Sequence, residues 1–114
     1  MVTYGADRGV TIDHAQSSLE GEMVDHIHRA GRGEAQGIVL NAGAYSHYSY
    51  AIRDAVAGAA VPVVETHLSN LAAREEFRHT SVIAPVCLGV VAGFGADSYR
   101  IAVDALLHHL GGAS

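Results

Sequence analysis

Short apolar runs that alternate with helical patterns constrain the fold of this chain more than any other feature of its sequence. Residues 37–40, 62–66 and 86–92 are apolar runs of strand length, and such runs are typical of strands buried on both faces of a sheet. Residues 9–16 alternate between apolar and polar side chains, which predicts a further short strand. Strands that alternate with helices form parallel sheets with helices on both faces, so we predict an α/β fold.

Three segments place apolar side chains at helical spacing, and the residues around them supply start and stop signals. Ser18 precedes the first segment and is predicted to cap its helix. Gly31 and Gly33 follow its last apolar position and are predicted to end that helix. Residues 68–81 are polar and rich in charge, which predicts a loop with one helical turn. The predicted helices span residues 19–30, 49–60 and 97–110.

Composition limits the class of protein and of partner. A chain of 114 residues that is 49% hydrophobic has the size of one globular domain, so we expect residues 1–114 to form a single domain. No apolar run approaches the ~20 residues of a membrane span, and no secretory signal is visible, so we expect a cytoplasmic protein without a membrane partner. The net charge of −5 and the lack of a basic stripe argue against nucleic acid as a partner.

The sequence gives little support for a metal site or for covalent catalysis. No set of cysteines and histidines has the spacing of zinc ligands, so no metal is expected. The basic side chains are all arginine, which excludes a lysine Schiff base. Cys87 is the single cysteine and lies in an apolar run, which predicts a buried structural thiol.

Polar side chains follow the predicted strands at their carboxyl ends, where open parallel sheets bind ligands. Glu65 and His67 are two residues apart at one strand end, so they project to the same side. A carboxylate beside an imidazole fixes the tautomer of the ring and suits a general acid. Ser69 and the amides after it lie on a loop that is able to hold an anion. The alternative for this segment is a polar loop with a satisfied histidine.

The preceding strand end and the charged loop carry further candidates. The amide of Asn41 and the imidazole of His47 are placed to bind substrate hydroxyls, or else they belong to a loop that enters a helix. Arg74 and Arg78 are four residues apart, so on a helix they would share a face and either would clamp an oxygen. The alternative is that both arginines are solvated at the surface.

Together these segments resemble the type II 3-dehydroquinate dehydratases, a flavodoxin-like family of small cytoplasmic dodecamers. The resemblance extends from about Gly9 to Leu110 and implies a flavodoxin-like three-layer α/β/α fold with a parallel sheet. The motifs that carry it are residues 16–22 (QSSLEGE), 41–47 (NAGAYSH), 65–70 (ETHLSN), 74–79 (REEFRH) and 89–95 (GVVAGFG).

The resemblance implies a reaction and the residues that perform it. The family eliminates water from 3-dehydroquinate through an enolate to give 3-dehydroshikimate in the shikimate pathway, without a metal or a cofactor. On this resemblance His67 is the general acid that protonates the leaving hydroxyl, and Glu65 orients it. Asn41 positions a water and the substrate near the enolate, while Ser69 and the amide of Leu68 hold the substrate carboxylate.

Three further residues take their roles from the same resemblance. His47 and Arg78 are implied to bind the ring hydroxyls of a small cyclic hydroxy acid. Asp54 is implied to reach the site of a neighbouring subunit across a trimer contact. The implied assembly is therefore a homo-oligomer built from trimers.

The sequence departs from the family pattern at its beginning. The family starts with a strand, an asparagine-bearing turn and a mobile lid that carries an essential arginine and the tyrosine base. Nothing before Gly9 supplies all of these, and Tyr4 stands too close to Gln16 to be that lid tyrosine. We therefore expect an N-terminally truncated version of the fold. Three arrangements stay open for the first strand: its neighbours close up, another chain fills the gap, or the sequence belongs to a longer protein.

Two tyrosines differ from the family at the rim of the expected pocket. Tyr48 and Tyr50 stand where the family has smaller residues, on the turn after His47. One of them would replace the lost base or reshape the pocket, or else both pack at a subunit interface. Three functions therefore stay open: a dehydratase of this family, a repurposed enzyme acting on another small molecule in secondary metabolism, and a catalytically impaired, oligomer-forming remnant.

Overall fold

The structure, a computed structural model, describes residues 2–111 and contains four α-helices and three β-strands within that range. The helices are α1 (Val2–Asp7), α2 (Glu20–Arg29), α3 (Tyr50–Gly58) and α4 (Asp97–Leu110). The strands are β1 (Ile38–Leu40), β2 (Val63–His67) and β3 (Gly89–Ala92). None of the helices described here has both the length and the apolar character needed to cross a membrane.

The three strands form one parallel sheet in the order β1-β2-β3, which confirms the predicted α/β fold. Side chains on β2 alternate between the two faces of the sheet. Val63 packs with Ile52 and the other buried residues of α2 and α3, whereas Val64 packs with Ala102 and Leu106 of α4. The sheet is therefore the middle of three layers, and β2 is its central strand.

The predicted strand over residues 9–16 is wrong, since this stretch is irregular in the structure. A strand is stable only when a neighbour pairs with its backbone, and none of the described strands pairs with this segment. Ile12 instead packs against Gly5 of α1, where an added Cβ would lie 2.7 Å from the Ile12 side chain. The alternating pattern thus reflects two partly buried apolar side chains, Val10 and Ile12, between exposed residues.

The start of α2 differs from prediction, whereas its glycine-marked end is as predicted. Ser18 does not cap this helix, because Leu19 is at the N-cap position and the neighbouring Ser17 hydroxyl accepts the Leu19 amide at 3.0 Å. At its C-terminal end, α2 continues into one wider turn before the helix ends. Gly33 ends that turn with φ of 115°, a conformation that favours glycine.

The loop over residues 68–81 contains two short 3₁₀ turns, Leu71–Ala73 and Glu76–His79. Arg74 lies between these turns, so Arg74 and Arg78 do not share the face of one helix. The loop itself is as predicted, but it contains two short turns instead of one, so the condition under which the arginines would share a face is not met. Both arginines nevertheless reach the same cavity by way of the loop.

Candidate functional site

The centre of the site is a buried carboxylate–imidazole pair at the carboxyl end of β2. Glu65 is 0% exposed and His67 is 4% exposed, and Nε2 of His67 lies 2.5 Å from Oε2 of Glu65. Two residues apart on a strand, both side chains point to the same face of the sheet. Because an ionised carboxylate only accepts hydrogen bonds, Nε2 carries the proton of the neutral ring. Nδ1 is therefore the atom that is left to gain or lose a proton.

The other oxygen of the Glu65 carboxylate is held by a residue that the sequence did not identify. The Ser81 hydroxyl donates to Oε1 of Glu65 at 2.9 Å. Cys87 lies half-buried nearby, and burial together with the negative charge of Glu65 raises the pKa of its thiol to about 11. The thiol is therefore protonated at neutral pH, as expected for a structural thiol, although Cys87 is half-buried and not fully buried as predicted.

A cavity of about 320 Å³ opens beside this pair and collects residues from the ends of β1 and β2 and from the loop after β2. Such a volume accommodates a small molecule. Most of the predicted site residues meet here, although they come from three separate segments of the chain. The cavity is lined by Asn41, Gly43, Ala44, His47, His67, Leu68, Ser69, Leu71, Arg74 and Arg78.

Hydrogen bonds orient the two polar residues that follow β1. The Asn41 amide donates from Nδ2 to the Tyr99 hydroxyl at 2.9 Å and accepts the Gly43 amide at Oδ1. Nδ1 of His47 lies 2.8 Å from the Thr80 carbonyl oxygen, and a carbonyl only accepts, so Nδ1 carries a proton and Nε2 is left for a ligand. These partners hold both side chains in fixed orientations at the cavity wall.

Two guanidinium groups give one wall of the cavity a positive charge. Nη1 of Arg74 donates to the Ser69 hydroxyl at 3.2 Å, and Nε of Arg78 donates to the Glu75 carboxylate at 3.1 Å. A backbone hydrogen bond and the Arg78 guanidinium lower the pKa of Glu75, so that carboxyl is ionised at neutral pH. Arg78 also lies over the Phe77 ring. This wall suits an anionic, hydroxyl-bearing ligand.

Several residues named in the sequence analysis lie outside the cavity. Asp54 is exposed on α3, where it accepts from Arg53 at 3.0 Å. Tyr48 and Tyr50 are 59% and 70% exposed, and neither lines the cavity. Their positions count against the hypothesis that one of them replaces the base. Tyr4 lies on α1 and donates to Asp104 of α4 at 2.6 Å, away from the cavity lining.

Sequence reasoning missed Ser81, Tyr99 and the Thr80 carbonyl. Each contacts a site residue that is far from it along the chain, so no local pattern could have indicated its role. Within residues 2–111, no group of three or more histidine, cysteine, aspartate or glutamate side chains has the geometry to hold a metal ion.

Comparison with known proteins gives one consistent family. A profile described as "Dehydroquinase class II" matches residues 1–107. A 3-dehydroquinate dehydratase of Ruegeria pomeroyi is 55% identical over 109 residues, which cover 96% of this chain and 72% of that protein. The Bacillus subtilis 3-dehydroquinate dehydratase is 61% identical over 99 residues, or 87% of this chain and 66% of that protein. The crystal structure of a type II dehydroquinase from Butyrivibrio crossotus superposes with a TM-score of 0.89 at 44% identity, covering 92% of this chain and 73% of that one.

Proposed function

Since this chain belongs to the class II dehydroquinase family, we propose that it is a hydro-lyase that eliminates water from 3-dehydroquinate to give 3-dehydroshikimate. The observation that carries this proposal is the buried Glu65–His67 pair, which lies beside a cavity lined by amide, imidazole, hydroxyl and guanidinium side chains. The product places the enzyme in the shikimate pathway.

His67 supplies the proton that the elimination consumes. In the proposed mechanism the enolate collapses and the carbon–oxygen bond to the leaving hydroxyl breaks. The His67 imidazolium donates a proton to this hydroxyl, which departs as water. The buried carboxylate of Glu65 stabilises the imidazolium and keeps Nε2 engaged, so Nδ1 is the donor to the substrate. The enolate forms when a base removes a substrate proton, and no tyrosine is among the described residues that line the cavity.

The rest of the cavity binds and orients the substrate. Ser69 and the amide of Leu68 hold the carboxylate, and Arg74 adds a positive charge through its hydrogen bond to the Ser69 hydroxyl. His47 presents Nε2 to a ring hydroxyl, because its Nδ1 is already engaged with the backbone. Arg78 binds a second hydroxyl. Each of these contacts uses a group that lines the cavity.

Asn41 is proposed to place a water and the substrate oxygen near the enolate. Its amide is fixed on one side by the Tyr99 hydroxyl and on the other by the Gly43 backbone. One hydrogen of Nδ2 is therefore left for the water or the substrate. A donor held in place before the reaction stabilises the negative charge of an enolate without reorganising.

We further propose that the enzyme is cytoplasmic and works as a homo-oligomer built from trimers, with Asp54 reaching the site of a neighbouring subunit. The support is the family resemblance together with the exposure of Asp54 on α3, away from the cavity of its own chain.

An assay of the conjugated enone product by ultraviolet absorbance tests the proposed reaction. We expect turnover by the folded protein and a fall in kcat of about a hundredfold or more for His67→Ala, as for the loss of a general acid. The matched control is His108→Ala, which removes an exposed imidazole near the end of α4 and leaves kcat unchanged. Absence of turnover with the folded wild-type chain would contradict the proposal.

A further inference from the structure

The Ser81 hydroxyl contacts the Glu65 carboxylate from the side away from His67. We propose that Ser81 is a positioning residue that holds the Glu65 carboxylate and thereby fixes the tautomer of His67. Its role in catalysis rests on the function proposed above, because His67 is the acid in that reaction. Ser81 itself does not line the cavity.

The direction of the Ser81 hydrogen bond follows from its other partners. The backbone amides of Ile83 and Ala84 both donate to Oγ of Ser81, at 3.2 and 3.0 Å. Amides only donate, so these contacts occupy the acceptor side of the hydroxyl and aim its single hydrogen elsewhere. The remaining contact is Oε1 of Glu65 at 2.9 Å, so Ser81 is the donor to the carboxylate.

Both oxygens of the Glu65 carboxylate are therefore occupied by donors. Oε1 accepts from Ser81 and Oε2 accepts from Nε2 of His67. Glu65 is 0% exposed, so in the intact protein water does not compete with either donor. Backbone amides anchor the Ser81 hydroxyl, and this hydroxyl holds one oxygen of the carboxylate. The carboxylate therefore cannot turn without losing the hydrogen bond from Ser81, which no other group provides.

The consequence for His67 is a single neutral tautomer. Oε2 of Glu65 stays aimed at Nε2, so the neutral ring carries its hydrogen there, and Nδ1 is the atom that gains and loses the catalytic proton. At metal sites, removing a partner that orients a ligating histidine commonly costs about 10- to 100-fold in affinity or activity. We expect an effect at the lower end of that range here, because Ser81 acts on His67 through Glu65. Without Ser81, the carboxylate is free to turn and both neutral tautomers become populated.

Ser49 provides a matched control elsewhere in the fold. Its buried hydroxyl also donates to a carboxylate, that of Glu20, and accepts a backbone amide, that of Ile52. Ser49→Ala therefore removes the same kind of bridge between a carboxylate and a backbone amide. Neither Ser49 nor Glu20 lines the cavity, so this change affects stability without acting on His67.

Nitrogen-15 NMR of the full chain with labelled histidine measures the tautomer directly. The His67 signals are assigned by their loss in His67→Ala. We expect the wild-type protein, Ser81→Thr and Ser49→Ala to show neutral His67 with hydrogen on Nε2 alone. Ser81→Ala is expected to show both tautomers, and its Nε2 hydrogen to exchange faster with solvent.

Two results would overturn the inference: an unchanged tautomer in Ser81→Ala, or a mixture in folded Ser81→Thr, which keeps the hydroxyl. A mixture in folded Ser81→Thr overturns the inference whether or not Ser81→Ala folds. In the kinetic assay, Ser81→Ala is expected to lower kcat by about tenfold, with KM little changed, while Ser49→Ala has wild-type kcat. An unchanged kcat in Ser81→Ala also overturns it. If the wild-type chain has no turnover, the proposed reaction fails and the NMR result alone decides the role of Ser81.

Discussion

At Cys87 the local environment changes the acidity of a single group. Burial, and then the charge of Glu65, raises the pKa of this thiol from its ordinary value of 9.0 to about 11. In the unfolded chain the thiol loses its proton near pH 9, whereas the folded protein keeps it until higher pH. The unfolded state therefore binds fewer protons between these values, and the free energy of unfolding falls as the pH rises through this window.

This linkage gives a prediction for Cys87→Ala. The variant lacks the thiol, so its free energy of unfolding should fall less than that of the wild-type protein between about pH 9 and about pH 11. Below pH 9 the difference between the two proteins should be constant. Urea unfolding at a series of pH values measures both curves, and all other titrating groups cancel in the comparison. Parallel curves across the whole range would show that the thiol is as acidic in the folded state as in the unfolded state.

The same scale shows why part of the site was predictable and part was not. Asn41 and Glu65 directly follow or end apolar runs, so the rule that parallel sheets bind ligands at the carboxyl ends of strands was enough to find them. Ser81 and Tyr99 reach the site from 16 and 58 residues away along the chain. Only the packing of the folded chain brings those hydroxyls into contact with the site.

Among the elements, α4 packs closely against the start of β1 through Leu106. Gly37 precedes this strand, and an added Cβ would lie 2.7 Å from Cδ2 and 2.9 Å from Cδ1 of the buried Leu106 side chain. Gly37→Ala should therefore push α4 outward or force Leu106 into a poorer rotamer, lowering the free energy of unfolding by about 1–3 kcal/mol. Urea denaturation of the purified variant measures this change.

Gly58 is the matched control because the space around it is open. It lies at the end of α3, is exposed, and an added Cβ there would meet nothing within 4 Å. Gly58→Ala should raise the free energy of unfolding by about 0.5 kcal/mol, since alanine restricts the unfolded chain more than glycine does. A Gly37→Ala variant as stable as Gly58→Ala would contradict the close packing of Leu106 on the start of β1.

Element prediction succeeded where tertiary contacts reinforce the local pattern. The final helix has its predicted bounds, because its apolar stripe packs on the sheet through Ala102 and Leu106. The alternating stretch at residues 9–16 was misassigned, because alternation records which side chains are apolar and says nothing about whether a neighbouring strand exists. Strand formation depends on backbone partners from elsewhere in the molecule, whereas a helix satisfies its own backbone.

At the scale of the whole molecule, each chain holds the Glu65–His67 pair and the arginine-bearing wall of its own cavity, while Asp54 lies outside that cavity. If Asp54 completes the site of a neighbouring copy, then His67 and Asp54 of one functional site belong to different chains. This arrangement distinguishes the proposed oligomer from a monomer in which the surface carboxylate of Asp54 has no role in the site. It also makes the assembly testable by mixing two defective chains.

We expect His67→Ala and Asp54→Ala each to have little activity alone and to complement each other when co-expressed. In randomly mixed oligomers, about a quarter of the sites combine an intact His67 with an intact Asp54 from the neighbour, so activity should approach that fraction of the wild-type value. The control is His67→Ala mixed with Glu65→Ala, since both residues of that pair belong to one chain and no mixture restores it. Two affinity tags establish that the purified oligomers contain both chains. If tagged mixtures of the first pair are no more active than the control, Asp54 does not act across a subunit contact.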